Sequence, residues 1–302
     1  PAMREADLGL LLDVDVPWIP QYAPDAGRLR WLQMDVDAIK RDFPMWGFGA
    51  ELRLSADCAT GLRQVLAAVE ARRQAGQAAR ARARIEGFGA ARAARAAALH
   101  EAAARPGGKD AVSAAYFCAR LAARLGPRDI VLNEAIRNAG AVLGQIPRTL
   151  PGTYFASAGG GLGATAGMAL GVKLACPAER VIQICGDGVF QFSTPDSVFA
   201  VASQYGLPIF TVVLDNRGWQ AVKESVLRVY PQGAAREADN FQARLDGRQQ
   251  GAPRHFEEVG HAFGAHAERV EAPEEVEAAI DRCLAAIDRG QAAILTLRTA
   301  TL

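Results

Sequence analysis

Val181-Ile-Gln-Ile-Cys-Gly-Asp-Gly188 and Ile209-Phe-Thr-Val-Val-Leu-Asp-Asn-Arg-Gly218 decide the fold. Each is a short, nearly continuous apolar run, rich in β-branched residues, that stops abruptly at glycine, acid or amide. Runs of this kind are strands covered on both faces, as parallel sheets are. Between them Pro195 to Tyr205 reads as a helix, with proline at its first turn. Asp187 and Asn216 stand 29 residues apart, enough for one helix and one strand, which is the crossover a parallel pair requires.

The same rhythm extends outward. Upstream lie a helix over Val112–Leu125, a strand at Asp129–Asn133, the glycine cluster Gly159-Gly-Gly-Leu-Gly163 and a helix of small residues ending near Ala175. Downstream come a helix near Glu257–Phe263, a strand at Glu268–Val270, a helix over Glu274–Ile287 and a strand at Ala293–Leu297. The polar stretch Glu224–Arg254 reads as a long, partly mobile loop. The predicted fold is α/β, a doubly wound parallel sheet.

A second α/β layer precedes it. Asp7-Leu-Gly-Leu-Leu-Leu-Asp13 reads as a strand buried on both faces, with further strands at Leu29–Asp35 and Glu51–Ala56. Leu62, Val65, Leu66 and Val69 recur at helical spacing over Ala59–Arg72. Three strands and one or two helices make a thin, truncated Rossmann-like domain. Residues 72–109 are rich in alanine and arginine and fit a helical linker better than a basic arm, because the arginines are spread around the helix. The expected organisation is therefore 1–75, a linker over 76–110, and 111–302.

Composition removes several function classes. Net charge is +1, so no basic surface for nucleic acid is implied. The 30 arginines against four lysines track the abundance of alanine rather than a phosphate-binding device. No apolar run is long enough to span a membrane. Five scattered cysteines (Cys58, Cys118, Cys176, Cys185, Cys283) contain no C-x-x-C pair, and the four histidines suggest no partner cluster. The expectation is a cytoplasmic protein with buried thiols and solvated or satisfied histidines.

The chemistry resides where the two quoted strands end. If they are neighbours, Gly186-Asp187-Gly188 and Asp215-Asn216-Arg217-Gly218 emerge together at the carboxyl edge, where open α/β sheets bind ligands. A carboxylate, an amide oxygen and a nearby carbonyl suit Mg²⁺, which completes its shell with water and phosphate oxygens. The glycines allow close approach of a bulky anion. Two other readings exist. Gly161-Leu-Gly163-Ala-Thr-Ala166 fits a dinucleotide fingerprint, with Asp187 following after a strand. The glycines can also serve simply to pack a helix against the sheet.

These residues resemble the thiamine-diphosphate motif, GDG running to an asparagine at the end of the next strand. Gly160-Gly-Leu-Gly163, Ala169-Leu-Gly-Val-Lys-Leu-Ala175 and Gln204-Tyr-Gly-Leu-Pro208 are similar to the cofactor domain of acetolactate synthase-like and benzoylformate decarboxylase-like enzymes. Residues 7–70, with Gln33-Met-Asp-Val-Asp37, look like the latter part of that family's middle domain. The resemblance implies that Asp187, Asn216 and the Gly218 carbonyl hold Mg²⁺, which bridges the diphosphate. It places Gly160, Gly161, Leu162, Gly163, Gly186, Gly188, Val189 and Trp219 at the cofactor, with Gly188 and Val189 offering amides to phosphate and Leu162 under the thiazolium. Glu134, Arg137 and Asn138 fall where family members touch diphosphate or substrate. Asp215 replaces the commoner asparagine, and Arg217 a usual glycine.

By the same resemblance the reaction is decarboxylation of a 2-keto acid followed by carboligation, in a homodimer or homotetramer. A simple 2-keto-acid decarboxylase and a catalytically silent binding module are the alternatives. The family's activating glutamate sits in an N-terminal pyrimidine-binding domain. No glutamate of this sequence is assigned to that role.

Overall fold

The computed structural model describes residue 3 and residues 6–43, 47–156, 161–241 and 255–300. Two compact units divide the chain, residues 1–89 and 90–302.

In the first unit, β1 (Leu8–Leu12), β2 (Arg30–Asp35) and β3 (Leu52–Ser55) form a parallel sheet in that order. Helix α1 (Cys58–Ala71) follows, its first turn capped by the Asp57 carboxylate, which accepts from Thr60 N at 2.7 Å. Gly61 lets α1 pack close against the sheet, where a Cβ would meet Met34 Sδ at 2.3 Å and push that flexible side chain aside. β1 corrects the expectation of a strand buried on both faces: Leu11 is buried, but Leu8 and Leu10 are exposed. An apolar run signals a strand, while burial of both faces needs a second layer that the described residues of this unit do not provide. Helix α2 (Gln77–Ala104) has no buried residue, in keeping with arginines spread around its circumference.

In the second unit, a short antiparallel pair, β4 (Gly107–Gly108) and β5 (Ala111–Val112), leads into α3 (Ala114–Ala122). The main elements then run β6 (Ile130–Glu134), α4 (Ala139–Gln145), β7 (Tyr154–Ala156), α5 (Ala164–Ala175), β8 (Val181–Gly186), α6 (Asp187–Phe192), α7 (Pro195–Tyr205) and β9 (Ile209–Asp215). After these come α8 (Gln220–Val229), α9 (Ala234–Glu237), α10 (Glu257–Ala262), β10 (His266–Val270), α11 (Val276–Asp288) and β11 (Ala293–Arg298). The six main strands are parallel, in the order β10-β11-β9-β8-β6-β7.

Alternation along the strands builds three apolar clusters, one on one face of the sheet and two on the other. Ile182, Ile184, Phe210, Val212, Leu295 and Leu297 face α3, α4 and α11. Cys185, Val213 and Ile294 face α6, α7 and α10, while Ile130, Leu132, Val181 and Ile209 face α5 and α7. The sheet is doubly wound, with helices on both faces. The chain leaves β6 for β7 on one side, then returns to β8 on the other. The topological switch point therefore lies between β6 and β8.

Helix α8 corrects the loop reading from Glu224 onward. Val222, Val226 and Val229 recur at helical spacing but are outnumbered by polar residues. Helix α9 (Ala234–Glu237) also falls in the predicted loop, and residues 242–254 of it lie outside the described residues. At the sheet edge, His266 Nε2 meets Glu268 Oε1 at 2.6 Å, and Arg282 of α11 donates to both oxygens of Glu268. Cys283 Sγ lies within 4.8 Å of these groups. The histidine is thus satisfied, and the cluster ties β10 to α11. Among the described residues, no helix is long and apolar enough to cross a membrane.

Candidate functional site

The ends of β6, β8 and β9 border an open cleft at the switch point, about 710 Å³ with its solvent-filled mouth included. Three turns build it, and each is shaped by its own residues.

The first turn follows β8. Gly186 is the last residue of the strand, and a Cβ added there would meet nothing within 4 Å, leaving open space toward the cleft. Asp187 begins α6 and is 3% exposed. One of its carboxylate oxygens accepts from Gly188 N at 2.7 Å and the other from Gly218 N at 2.8 Å. At Gly188 an added Cβ would lie 2.7 Å from Trp219 Cδ1, so glycine is what lets the indole approach.

The second turn follows β9. Asn216 Oδ1 accepts from the same Gly218 amide at 3.1 Å, and Asp215 Oδ1 caps Arg217 N at 2.9 Å. Arg217 adopts φ 67°, the left-handed region that favours glycine. The tight turn brings the Asp187 and Asn216 oxygens together on one amide, from neighbouring strands. That is the juxtaposition anticipated from the 29-residue spacing.

The third turn precedes α5. Gly163 takes φ 92°, and a Cβ there would clash with Ser193 N at 2.6 Å. Glu134 holds this turn. Its buried carboxylate accepts from Gly163 N at 2.8 Å, Thr165 N at 2.9 Å and Thr165 Oγ1 at 2.6 Å. An acid at a helix N-terminus satisfies orphan amides and favours the dipole. Thr165 Oγ1 in turn accepts from Gln183 Nε2, and Gln183 Oε1 accepts from Thr211 Oγ1. The chain of bonds crosses β6, α5, β8 and β9 beneath the cleft.

Arg137, Asn138, Leu162, Gly186, Asp187, Gly188, Val189, Asn216, Gly218 and Trp219 all line the cleft. Glu134 does not. Its carboxylate is turned to the α5 N-terminus, where it holds the Gly163 turn. Gly161 and Gly163 are not among the lining residues either, and Gly163 instead shapes the turn that presents Leu162. Gly160 lies outside the described residues. Sequence reasoning missed Ile136, Phe192, Gln220 and Val222, which also line the cleft. Gln220 and Val222 follow Trp219 directly, so the helical spacing of α8 was the signal available for them. Phe192 sits 5.5 Å from Trp219, ring centre to ring centre, and no local pattern announces it.

Burial pushes the Cys185 thiol well above its ordinary range, and the charges of Glu134 and Asp187 push it further. Cys185 therefore stays a neutral thiol behind Asp187.

The described donors fit a hard cation with a bulky anionic ligand. The Asp187 carboxylate, the Asn216 amide oxygen and the Gly218 carbonyl belong to the Gly186–Gly188 and Asn216–Gly218 turns, and such oxygens suit Mg²⁺. Trp219 Nε1 is buried without a hydrogen-bond partner, a donor left at the cleft. Leu162, Phe192, Leu214 and Val222 supply apolar wall.

Comparison with known proteins agrees with this geometry. Residues 139–295 match the family model described as thiamine pyrophosphate enzyme, C-terminal TPP binding domain. The chain belongs to the thiamine pyrophosphate enzyme family. It is 34% identical over 100 residues to the benzoylformate decarboxylase of Pseudomonas aeruginosa, a match covering 33% of this chain and 19% of that protein. It is 29% identical over 116 residues to the acetolactate synthase isozyme 3 large subunit of Escherichia coli K12, covering 38% and 18%. Among solved structures, the thiamine diphosphate-dependent 4-hydroxybenzoylformate decarboxylase of Rhodococcus jostii RHA1 superposes with TM-score 0.62 at 18% identity. That match covers 91% of this chain and 44% of the other, and it speaks to the fold. The matches to the curated relatives span about a fifth of those proteins' length.

Proposed function

We propose that this chain supplies the diphosphate- and Mg²⁺-binding half of a thiamine-diphosphate site, in an enzyme that decarboxylates a 2-keto acid and joins the resulting fragment to a second carbonyl compound. The observation that carries the reading is the convergence of Asp187 and Asn216 oxygens on the Gly218 amide, at the carboxyl ends of two neighbouring strands. In this reading Asp187, Asn216 and the Gly218 carbonyl hold Mg²⁺, and the amide of Val189 meets a phosphate oxygen, while the Gly188 amide stays on the Asp187 carboxylate. Thiamine diphosphate, when bound, supplies the electron sink that decarboxylation of a 2-keto acid needs.

The chain's residues then bind, orient and keep water out. Leu162 supports the thiazolium ring, held by the Gly163 turn that Glu134 fixes. Phe192 and Val222 exclude water from the wall opposite. Glu134 and Glu224 are both engaged, with the α5 N-terminus and with Arg137. Neither is assigned to activate the aminopyrimidine. That role falls to a glutamate of a pyrimidine-binding domain, in a homodimer or homotetramer. Simple decarboxylation is a second reading, supported by the 34% identity to a benzoylformate decarboxylase.

Product analysis in the assembled enzyme separates the two. Carboligation predicts a coupled hydroxyketo product from pyruvate, and simple decarboxylation predicts free aldehyde from benzoylformate. Turnover of neither, with cofactor and Mg²⁺ present, would remove both readings.

A further inference from the structure

Arg137 stands at the cleft in a guarded state. It lies in the short 3-10 turn Ile136–Asn138 that follows β6, and it lines the cleft. Among the described lining residues it is the only one with a cationic side chain. Its guanidinium forms an ion pair with Glu224, on the second turn of α8. The first turn of α8, Gln220 to Val222, also lines the cleft. The pair therefore links the turn after β6 to the helix that carries on from the Asn216–Trp219 turn.

Three observations say that this pairing is not the final use of the guanidinium. Arg137 Nε is buried and has no hydrogen-bond partner among the described residues, so a desolvated donor is left unspent. The side chains of Arg137 and Glu224 are 28% and 26% exposed, so a dissolved anion can reach the pair and compete for the guanidinium. Ile136, immediately before, is held at φ 39°, a strained conformation for a β-branched residue. Strain of this kind clusters where a structure must aim a neighbouring group. A guanidinium is a planar fork of donors that suits a phosphate or carboxylate better than a single contact does.

We propose that Arg137 and Glu224 form an exchangeable pair, in which Glu224 occupies the guanidinium until an anionic oxygen of the cleft's ligand displaces it. Glu224 thereby sets how tightly the cleft holds anions. The inference rests on the functional reading above for the identity of the ligand, which is either the diphosphate of the cofactor or the carboxylate of a 2-keto acid.

The test is calorimetric titration of the full chain with inorganic pyrophosphate plus Mg²⁺, and separately with benzoylformate. Wild type, Glu224→Gln, Arg137→Gln and the double variant are compared, each checked for an unchanged unfolding midpoint. Glu224→Gln is expected to tighten one of the probes about threefold. Arg137→Gln should weaken the same probe about tenfold. In the double variant the Glu224 effect should vanish, because Glu224 acts through Arg137. The probe that responds identifies the source of the anion. An unchanged or weakened affinity in Glu224→Gln overturns the proposal, as does the same tightening in the Arg137→Gln background. Binding of neither probe by any variant overturns it too. Where pyrophosphate is the probe that responds, Mg²⁺-dependent thiamine diphosphate binding that ignores both residues would overturn the exchange and leave the functional reading standing. Probe binding that obeys the cycle without such cofactor binding would do the reverse.

Discussion

Replacing Glu134 by alanine is expected to loosen the second unit from beneath its cleft. The carboxylate accepts three hydrogen bonds, two from backbone amides at the α5 N-terminus and one from Thr165 Oγ1. Glu134 is 2% exposed, so water cannot readily replace it. Hydrogen bonds to a charged acceptor contribute about 1.5–3 kcal/mol each, but their losses overlap at one group. Each buried donor left without an acceptor costs about 1–3 kcal/mol. Taking about 4 kcal/mol and about 2–4 °C per kcal/mol for a unit of this size, the midpoint should fall by about 8–16 °C. Glu134→Gln keeps an oxygen for one or two of the amides and should lose about half as much, on the order of 2 kcal/mol. Circular dichroism melting or urea unfolding reads both variants. A Glu134→Ala protein within about 1 kcal/mol of wild type would refute the positioning role argued for this residue.

Three further outcomes follow from the geometry. Gly163→Ala places a Cβ 2.6 Å from the Ser193 amide at a positive φ, so it should destabilise by about 3 kcal/mol or more, read by urea midpoint; wild-type stability would contradict the turn. In the folded chain a thiol reagent should modify Cys58 and Cys176 alone, since Cys118, Cys185 and Cys283 are fully buried and burial pushes the Cys118 thiol up to about 12. Rapid native labelling of any of these three would contradict the packing. The Arg124 guanidinium holds the Asp281 carboxyl below its ordinary range, and Arg180 does the same for Asp288. A lowered folded-state pKa means that this stabilisation is present above the ordinary aspartate range and is lost as pH falls through the lowered values. The urea midpoint should therefore drop between about pH 5 and about pH 2, and drop less in Asp281→Asn. An Asp281→Asn profile parallel to wild type would remove that pair as a contributor.

The parts of this fold that could be read from sequence are those whose environment imposes a local pattern. β8 and β9 are covered on both faces, so nearly every residue is apolar or small, and their polar ends stand out by contrast. Pro195 and the apolar spacing behind it marked α7 to the residue. β1 carries the same kind of run, yet Leu8 and Leu10 are exposed, because a run reports strand propensity while burial depends on layers supplied from elsewhere in space. α6 was hidden for the opposite reason. Asp187-Gly188 reads as a turn, and the helix forms because the buried carboxylate and the packing of Val189 and Phe190 override the glycine. In the site, Gly218 was named through the family resemblance, while the meeting of Asp187 and Asn216 was legible from spacing. The task of Glu134 was not, since its partners lie 29 and 31 residues away and are set by tertiary contact. Arg137 could be placed at the cleft, but its pairing with Glu224 required α8, which was read as loop.

The central claim concerns the metal turn, and calorimetric titration of thiamine diphosphate into this chain tests it most directly. Wild type should bind the cofactor with Mg²⁺ and lose that binding in a chelator, while Asp187→Asn should bind weakly or not at all in either condition. Cofactor affinity that is independent of Mg²⁺, or that persists undiminished in Asp187→Asn, would contradict the assignment of Asp187, Asn216 and Gly218 as the metal-holding oxygens.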